Sequence, residues 1–323
     1  MKRIGVLTSG GDSPGMNAGI RAVVRAGDYH GLEVFGVERG YQGLIDDALR
    51  PLGPRDVSGI INRGGTMLRS ARCEAFFEPE GRARAAETLR RRHIDGLVLI
   101  GGDGTYRGAE KLTEEHGIAC VGMPGTIDND IGGTDFTIGF DTALNTALEA
   151  IDRLRDTAQS HDRVFFVEVM GRHNGSIAMM SGIAGGADEI LAPETPTDID
   201  ALAKKLENIG RIGKTSAIVV VAEGDEAGSA YEIADQVLAK CDMGGCRVAV
   251  IGHLQRGGSP TAFDRILASR LGVRAVEALV SGERNVMTGV QGNEVVLRPI
   301  PDAWETSARF DPSYVDILQV LAR

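Results

Sequence analysis

Residues 124 to 130 read PGTIDND and close the apolar run IACVGM, placing two aspartates two positions apart behind a proline and a glycine. Asp128 and Asp130 cannot share a helical face, because i and i+2 point apart on a helix and Pro124 discourages one from starting earlier. An extended segment places them on one side, roughly 6 to 7 Å apart at the Cα atoms, since each residue advances about 3.3 Å. That is wide for a proton-sharing dyad. It suits one carboxylate meeting a substrate hydroxyl while the other holds a neighbour or meets a metal's water. The alternative is a solvated turn, since Asp and Asn are favoured turn residues.

Two further stretches point to phosphate. LTSGGDSPGMN and LIGGDGTYRG each run from an apolar strand through paired glycines and an aspartate into a helical pattern. Gly10, Gly11, Gly102 and Gly104 let backbone N–H groups approach an anion closely, and the helix N-termini that follow add about half a positive charge each. Asp103 would repel phosphate unless a bridging Mg2+ intervenes, and Mg2+ favours one or two carboxylates together with phosphate oxygens and water. Taken singly, either loop could be a tight strand-to-helix turn. GxxxxGK[ST] is absent, which excludes a Walker P-loop; Gly102, Gly104 and Gly108 make GxGxxxG, one residue too long for the dinucleotide fingerprint. Asp103, Asp128 and Asp130 at expected strand ends are of no use to hydride transfer, whereas phosphoryl transfer requires metal, phosphate donor and base in line.

Arginines complete the pattern. Arg63, Arg69 and Arg72 fall in INRGGTMLRSAR; Arg163 and Arg247 begin expected strands; Arg172 follows one in VMGRHNG, and His253 with Arg256 ends one in GHLQRGG. One arginine is more often a surface ion pair, but several at strand ends suggest an oxyanion site, because guanidinium grips phosphate with two directed hydrogen bonds.

The elements that must position these residues follow one rhythm. RIGVLT (3 to 8), GLEVFGV, DGLVLI (95 to 100) and IACVGM (118 to 123) read as strands, and MNAGIRAVVRAGDYH and AEKLTEEHG as helices. Between them lie a loop-rich segment, 38 to 55, and an expected helix near 56 to 62. A long helix is expected at about 137 to 160, with Leu144, Leu148, Ile151 and Leu154 as its core stripe. RVFFVEVM, TSAIVVVAE and CRVAVIGH read as further strands, with helices near 197 to 209, 229 to 240 and 260 to 281. Continuous apolar strands alternating with helices indicate parallel sheets covered on both faces, with ligands beyond the C-terminal strand edges. The expected fold is α/β: two Rossmann-like three-layer domains with mostly parallel sheets and an active-site cleft between them, the rhythm changing near residue 138.

Composition is ordinary for a globular chain: 323 residues, 42% apolar and 25% charged. The net charge of -10 opposes non-specific binding to nucleic acid or anionic membrane, so anion affinity must come from local arginines. MKRIGVLTSGG reaches glycine too early for a signal-peptide core, and no run nears the roughly 18 apolar residues of a membrane span, so a cytoplasmic enzyme is expected. Cys73, Cys120, Cys241 and Cys246 are too few for a disulfide scaffold, and CDMGGC lacks partners for zinc; all four are expected to be reduced.

Seven segments in order, GGDSPGMN, INRGGT, GGDGT, PGTIDND, IDRLRDT, MGRHNG and GHLQRGGSP, resemble the bacterial-type ATP-dependent 6-phosphofructokinase over nearly the whole chain. The resemblance implies transfer of the γ-phosphate of MgATP to the 1-hydroxyl of fructose 6-phosphate, giving fructose 1,6-bisphosphate and ADP in glycolysis. It implies an ATP-binding domain of 1–138 plus about 252–302, and a fructose 6-phosphate-binding domain of 139–251 plus about 303–323. Asp128 matches the family's catalytic base, supported by Asp130, with Thr126, Arg72 and Arg172 at the reacting groups. Gly11, Arg72, Cys73, Gly102, Asp103, Gly104 and Thr105 would receive ATP, with Asp103 at Mg2+; Cys73 departs from the aromatic residue expected beside adenine. Thr126, Ile127, Met170, Gly171, Arg172 and Glu223 would hold the sugar. His253, Leu254, Gln255 and Arg256 would bind its 6-phosphate end, with Arg163 and Arg247 reaching in from a neighbouring subunit, which implies a homotetramer.

Pyrophosphate-using relatives carry an aspartate at the position of Gly104 and a lysine at that of Gly125, so two glycines here imply ATP as donor. Arg21, Arg25, Arg155, Gly186, Asp188 and Lys214 match an effector site for ADP or phosphoenolpyruvate, although Pro54, Ile212, Thr215 and Ser216 stand where basic residues often lie. Two rivals explain less: another GGDG kinase, such as an NAD or diacylglycerol kinase, gives no reason for PGTIDND with QRGGSP, and a regulatory module without catalysis gives none for Asp103 and Asp128.

Overall fold

A computed structural model describes residues 1–211, 215–241, 246–306, 311 and 313–321. In chain order the elements are β1 (Arg3–Thr8), α1 (Met16–Tyr29), β2 (Glu33–Val37), α2 (Gly40–Ile45), β3 (Leu49–Leu52), α3 (Pro79–Arg91), β4 (Gly96–Gly101), α4 (Asp103–His116) and β5 (Ala119–Pro124). After α5 (Phe140–Ser160) come β6 (Val164–Val169), α6 (Ser176–Ala184), β7 (Glu189–Leu191), α7 (Ile199–Arg211), β8 (Ala217–Ala222), α8 (Ala230–Leu238) and β9 (Cys246–Val250). The chain ends with α9 (Ala262–Val280), β10 (Val286–Gln291), β11 (Glu294–Pro299), α10 (Asp302–Glu305) and α11 (Ser313–Leu321).

Two compact units result. One comprises Met1–Ile127, Ile131–Thr142 and Arg256–Ala308; the other comprises Asp128–Asp130, Ala143–Gln255 and Arg309–Arg323. The first holds a seven-stranded sheet in the order β11-β10-β5-β4-β1-β2-β3, parallel except for β3 and β11, which pair antiparallel at its edges. Alternate residues of a strand face opposite ways. Leu97 and Leu99 of β4 therefore pack with Leu44, Leu89 and Leu112, while Val98 and Ile100 pack with Ile20, Val24 and Leu271. Both faces are covered, which is why β4 is apolar and buried throughout. β1 pairs with β2 on one side and β4 on the other, so the chain reverses its order there and the loops after β1 and β4 open a crevice.

The second unit has a four-stranded sheet, β7-β8-β6-β9, whose strand pairs are all parallel. Its order reverses beside β6, so the loops after β6 and β9 occupy the corresponding place. All six residues of β8 are buried, whereas none of β9, an edge strand, is. Ser229 and Glu232 form a capping box that starts α8.

Four expectations need correction. Segment 38 to 55 contains α2 and β3, a short helix and an antiparallel edge strand too brief to show periodicity. No helix forms near 56 to 62: Gly53 N donates to Asp56 Oδ2 and Gly59 takes φ 68°, a turn geometry that breaks helical continuation. Along α5 the buried line is Ala143, Ala147, Ile151 and Ala158, while Leu144, Leu148 and Leu154 are half-buried. The small alanines form the contact and the leucines flank it. Finally, residues 128 to 130 are not extended. The chain bends at Ile127 and Asp128, and Asn129 takes φ 51°, a left-handed conformation that asparagine tolerates better than most residues.

Candidate functional site

In the first unit, the crevice beyond β1 and β4 gathers three of the expected loops. Gly125 N donates to Gly101 O at 3.0 Å, and a Cβ built on Gly102 would come within 3.9 Å of Thr126 Cβ, so the GGDG and PGT segments lie side by side. Asp103 opens α4, which has no side-chain cap, so that helix N-terminus is left to other acceptors. A Cβ on Gly104 would meet nothing within 4 Å, whereas one on Gly125 would lie 2.8 Å from Ile100 Cγ2 and 3.3 Å from the Gly101 nitrogen. The two glycines differ: Gly104 borders open space, and Gly125 is packed.

The loop after β1 is held from several directions. Ser70 Oγ donates to Gly10 O at 2.6 Å, and Arg256 lays its guanidinium over Gly11 and donates to Asp12 O at 3.3 Å. Gly10, Gly11, Asp12, Thr66, Ser70, Ala71 and Arg72 line a cavity of about 400 Å³. Thr66 ends the INRGGT stretch, which hangs from Asn17, whose Nδ2 donates to Arg63 O and Gly64 O and whose Oδ1 accepts from Met67 N at 2.7 Å. Thr8 Oγ1 adds a bond to Arg69 O at 2.9 Å. Asn17 and Thr8 were missed as positioning groups, although both stand in or beside the quoted motifs.

Cys73 is buried among Leu7, Tyr41 and Phe76, with Tyr41 and Phe76 stacked at 3.9 Å, and burial pushes its thiol above the ordinary value. Thr105 is buried too, with its Oγ1 unbonded, and its carbonyl accepts from Tyr41 OH. Ile127 is fully buried.

In the second unit, Asn129 and Asp130 meet the loop after β6. Arg172 Nη1 stands 3.6 Å from Asp130 Oδ2, and Asn174 Nδ2 donates to Asn129 O at 3.3 Å. Asp128 is buried. Arg172 itself sits at φ 54°, a conformation arginine adopts only under constraint. The constraint is Glu223 at the end of β8: its Oε1 accepts from Gly171 N at 3.2 Å and Arg172 N at 2.8 Å. Gln255, fully buried, accepts from Met170 N at 2.9 Å and has an unbonded Nε2. Glu223, expected to hold the sugar, and Gln255, expected to bind substrate, are seen here fixing the backbone of 170 to 172. His253 and Leu254 are exposed on the 3-10 turn Gly252–Arg256.

Arg163 and Arg247 lie elsewhere. Arg163 precedes β6, and Arg247, the second residue of β9, pairs beside Phe165. Both therefore sit at the N-terminal edge of this sheet, and Met170 to Arg172 at the C-terminal edge, about 20 Å away along six strand residues. One copy of the unit does not bring them together.

The expected effector residues are divided between the two units. Arg21 and Arg25, one turn apart on α1, border a groove of about 330 Å³ with Tyr29, Ser269 and Glu277. Arg155 Nη2 donates to Gly185 O at 2.5 Å and Gly186 O at 2.6 Å, and buried Asp188 accepts from Ile218 N at 2.9 Å. Lys214 and Ile212 fall outside the described residues.

Among the described residues no three His, Cys, Asp or Glu side chains are grouped to cage a metal. Mg2+ that arrives on nucleotide phosphates needs only one or two carboxylates, and Asp103, 43% exposed and 4.0 Å from Arg107, presents one beside open space. No helix among these residues is long and apolar enough to cross a membrane.

Residues 3–279 match the phosphofructokinase family. The chain is 58% identical over 322 residues to ATP-dependent 6-phosphofructokinase 1 of Thermus thermophilus and 53% identical over 322 residues to ATP-dependent 6-phosphofructokinase of Bacillus pumilus, covering 100% of this chain and of each relative. Phosphofructokinase from Saccharomyces cerevisiae superposes with a TM-score of 0.86 at 36% identity, over 99% of this chain and 46% of the yeast chain, so this chain spans about half that length. Likeness of this extent includes the loops at both switch points, and the chain belongs to the phosphofructokinase family.

Proposed function

We infer that the protein transfers the γ-phosphate of MgATP to the 1-hydroxyl of fructose 6-phosphate, giving fructose 1,6-bisphosphate and ADP as a step of glycolysis. The full-length likeness to relatives named ATP-dependent 6-phosphofructokinase carries this reading. Open space at Gly104 supports ATP as donor, because a nucleotide's α-phosphate needs that room and an aspartate there would take it.

Gly11, Arg72, Cys73, Gly102, Asp103, Gly104 and Thr105 receive the nucleotide in the unit that acts as ATP-binding domain. Backbone N–H groups at the α4 N-terminus meet phosphate oxygens, and Arg72 steadies charge on the phosphoryl in flight. Asp103 holds Mg2+, which neutralises charge on the phosphates when bound. Asp128 takes the proton from the sugar hydroxyl, Asp130 keeps Arg172 in place, and Thr126 holds the reacting groups. Met170, Gly171, Arg172 and Glu223 orient the sugar, and His253 and Arg256 bind its phosphate.

Arg163 and Arg247 complete the phosphate site from a second copy in a homotetramer. Their place at the opposite strand edge, and the uncovered edge strand that carries Arg247, support this arrangement. Arg21, Arg25, Arg155, Gly186, Asp188 and Lys214 receive a phosphorylated effector, ADP or phosphoenolpyruvate. The enzyme acts in the cytoplasm. ADP release by the purified protein with fructose 6-phosphate, comparing ATP with pyrophosphate, tests the reading. Release with ATP is expected, and turnover with pyrophosphate alone would overturn the donor.

A further inference from the structure

The first turn of α9 contains a carboxylate that the proposed chemistry does not use. Asp264 is fully buried. Its Oδ1 accepts from Gly139 N at 2.8 Å, and its Oδ2 accepts from Thr142 N at 2.8 Å and Thr142 Oγ1 at 2.5 Å. The connection is reciprocal, because Thr261, the α9 cap, bonds Asp141 through Oγ1 at 2.5 Å and donates its N–H to Thr142 Oγ1 at 3.0 Å. The start of α5 and the start of α9 thus cap each other. Burying an ionisable carboxyl with no cation is costly, and packing alone would be met as well by an apolar residue.

The segment held by Asp264 leads directly to the PGT turn. Ile138 N donates to Pro124 O at 2.8 Å, Gly125 and Ile138 form a parallel bridge, and buried Thr137 donates through Oγ1 to Thr126 O at 2.7 Å. Gly139, at φ 106°, has no room for another residue: its Cβ would lie 2.5 Å from Ser13 Cβ in the loop after β1. The Pro124–Thr126 backbone therefore hangs on 137 to 139, and 139 to 142 hang on Asp264.

We propose that Asp264 is a positioning residue for the transfer reaction, setting through residues 137 to 142 the carbonyls of Pro124 and Thr126, and so the backbone from which Asp128 springs two residues later. The proposal rests on the kinase reading above. Asp264 touches neither substrate. Replacing it by asparagine turns an amide towards one of the donors it now accepts, which loosens the turn rather than unfolding it. Burial holds the Asp264 carboxyl up at about 6 against the bonds from Thr142 and Gly139, so it is largely ionised, and a full acceptor, at neutral pH.

Steady-state kinetics of the full chain decide the matter, with thermal melts to verify folding. Asp264→Asn is expected to lower kcat by about 10- to 100-fold, as a misplacement on the order of 1 Å does, and to leave KM for both substrates within about threefold. Thr137→Val, which keeps Asp264 and removes the last link, should lower kcat by roughly 3- to 10-fold. In an Asp128→Ser background, Asp264→Asn should cost little more, because the group it positions has gone. A folded Asp264→Asn enzyme with wild-type kcat, or an undiminished loss in the Asp128→Ser background, overturns the proposal. If Asp264→Asn does not fold, wild-type kcat in Thr137→Val overturns it. Wild-type turnover in Asp128→Ser instead removes the base assignment itself, and with it the proposal.

Discussion

The two units hold their reactive loops by different means. In the first, the PGT turn is held by backbone and one short hydroxyl: Gly125 N on Gly101 O, Ile138 N on Pro124 O, Thr137 on Thr126 O. In the second, long side chains reach from strand ends to hold a strained loop: Glu223 on Gly171 and Arg172, Gln255 on Met170, Glu194 on Gly175 N at 2.8 Å. A phosphate cradle needs N–H groups fixed in space, which glycine-rich backbone supplies. A sugar pocket needs directed side chains, and these must be oriented by other side chains.

The contrast can be broken by substitution, most strongly at Asp128. Asp128→Ser should cut kcat by about two to four powers of ten, the usual worth of a positioned base, with ATP binding by calorimetry unchanged. Near-normal kcat would place the base elsewhere. Within the first unit, Asp264 links position to pH. Burial raises its folded carboxyl from 3.8 to about 6, so ionising it opposes folding. Its favourable contribution is present below about pH 4 and lost as pH rises through about 6, a change on the order of 3 kcal/mol. Urea midpoints of the wild type should fall relative to Asp264→Asn over that window; parallel pH profiles would contradict it.

In the second unit, Arg163→Ser or Arg247→Ser should raise KM for fructose 6-phosphate about tenfold or more and leave KM for ATP nearly unchanged, as expected for a lost charged hydrogen bond worth roughly 1.5 to 3 kcal/mol. Equal effects on both substrates would count against the shared phosphate site. The smallest effect sharpens the comparison most. Glu223→Gln keeps one acceptor for Gly171 and Arg172 but loses its charge, and should raise KM for the sugar phosphate by roughly 3- to 10-fold. If KM for ATP rises as much, loop support is not a property of one unit alone.

Much of this is legible in the sequence. The strands at 3–8, 95–100 and 118–123 are continuous apolar runs because both sheet faces are covered, and burial of that kind leaves a plain signature. The glycine loops were legible because backbone chemistry restricts residue choice. Arg172 at positive φ was not, since Glu223, 51 positions away, holds that conformation. Asp264 was invisible for the same reason: an aspartate near a helix start reads as an ordinary first-turn acid. Only the fold shows that its partners lie 122 and 125 positions away.

The placement of Arg163 and Arg247 at the far strand edge has one more consequence. If every copy lends its cations and borrows another's, assembly becomes part of the affinity for sugar phosphate, while the nucleotide cradle stays self-sufficient. Dilution would then blunt the response to one substrate before the other, making the abundance of the protein itself a control on flux.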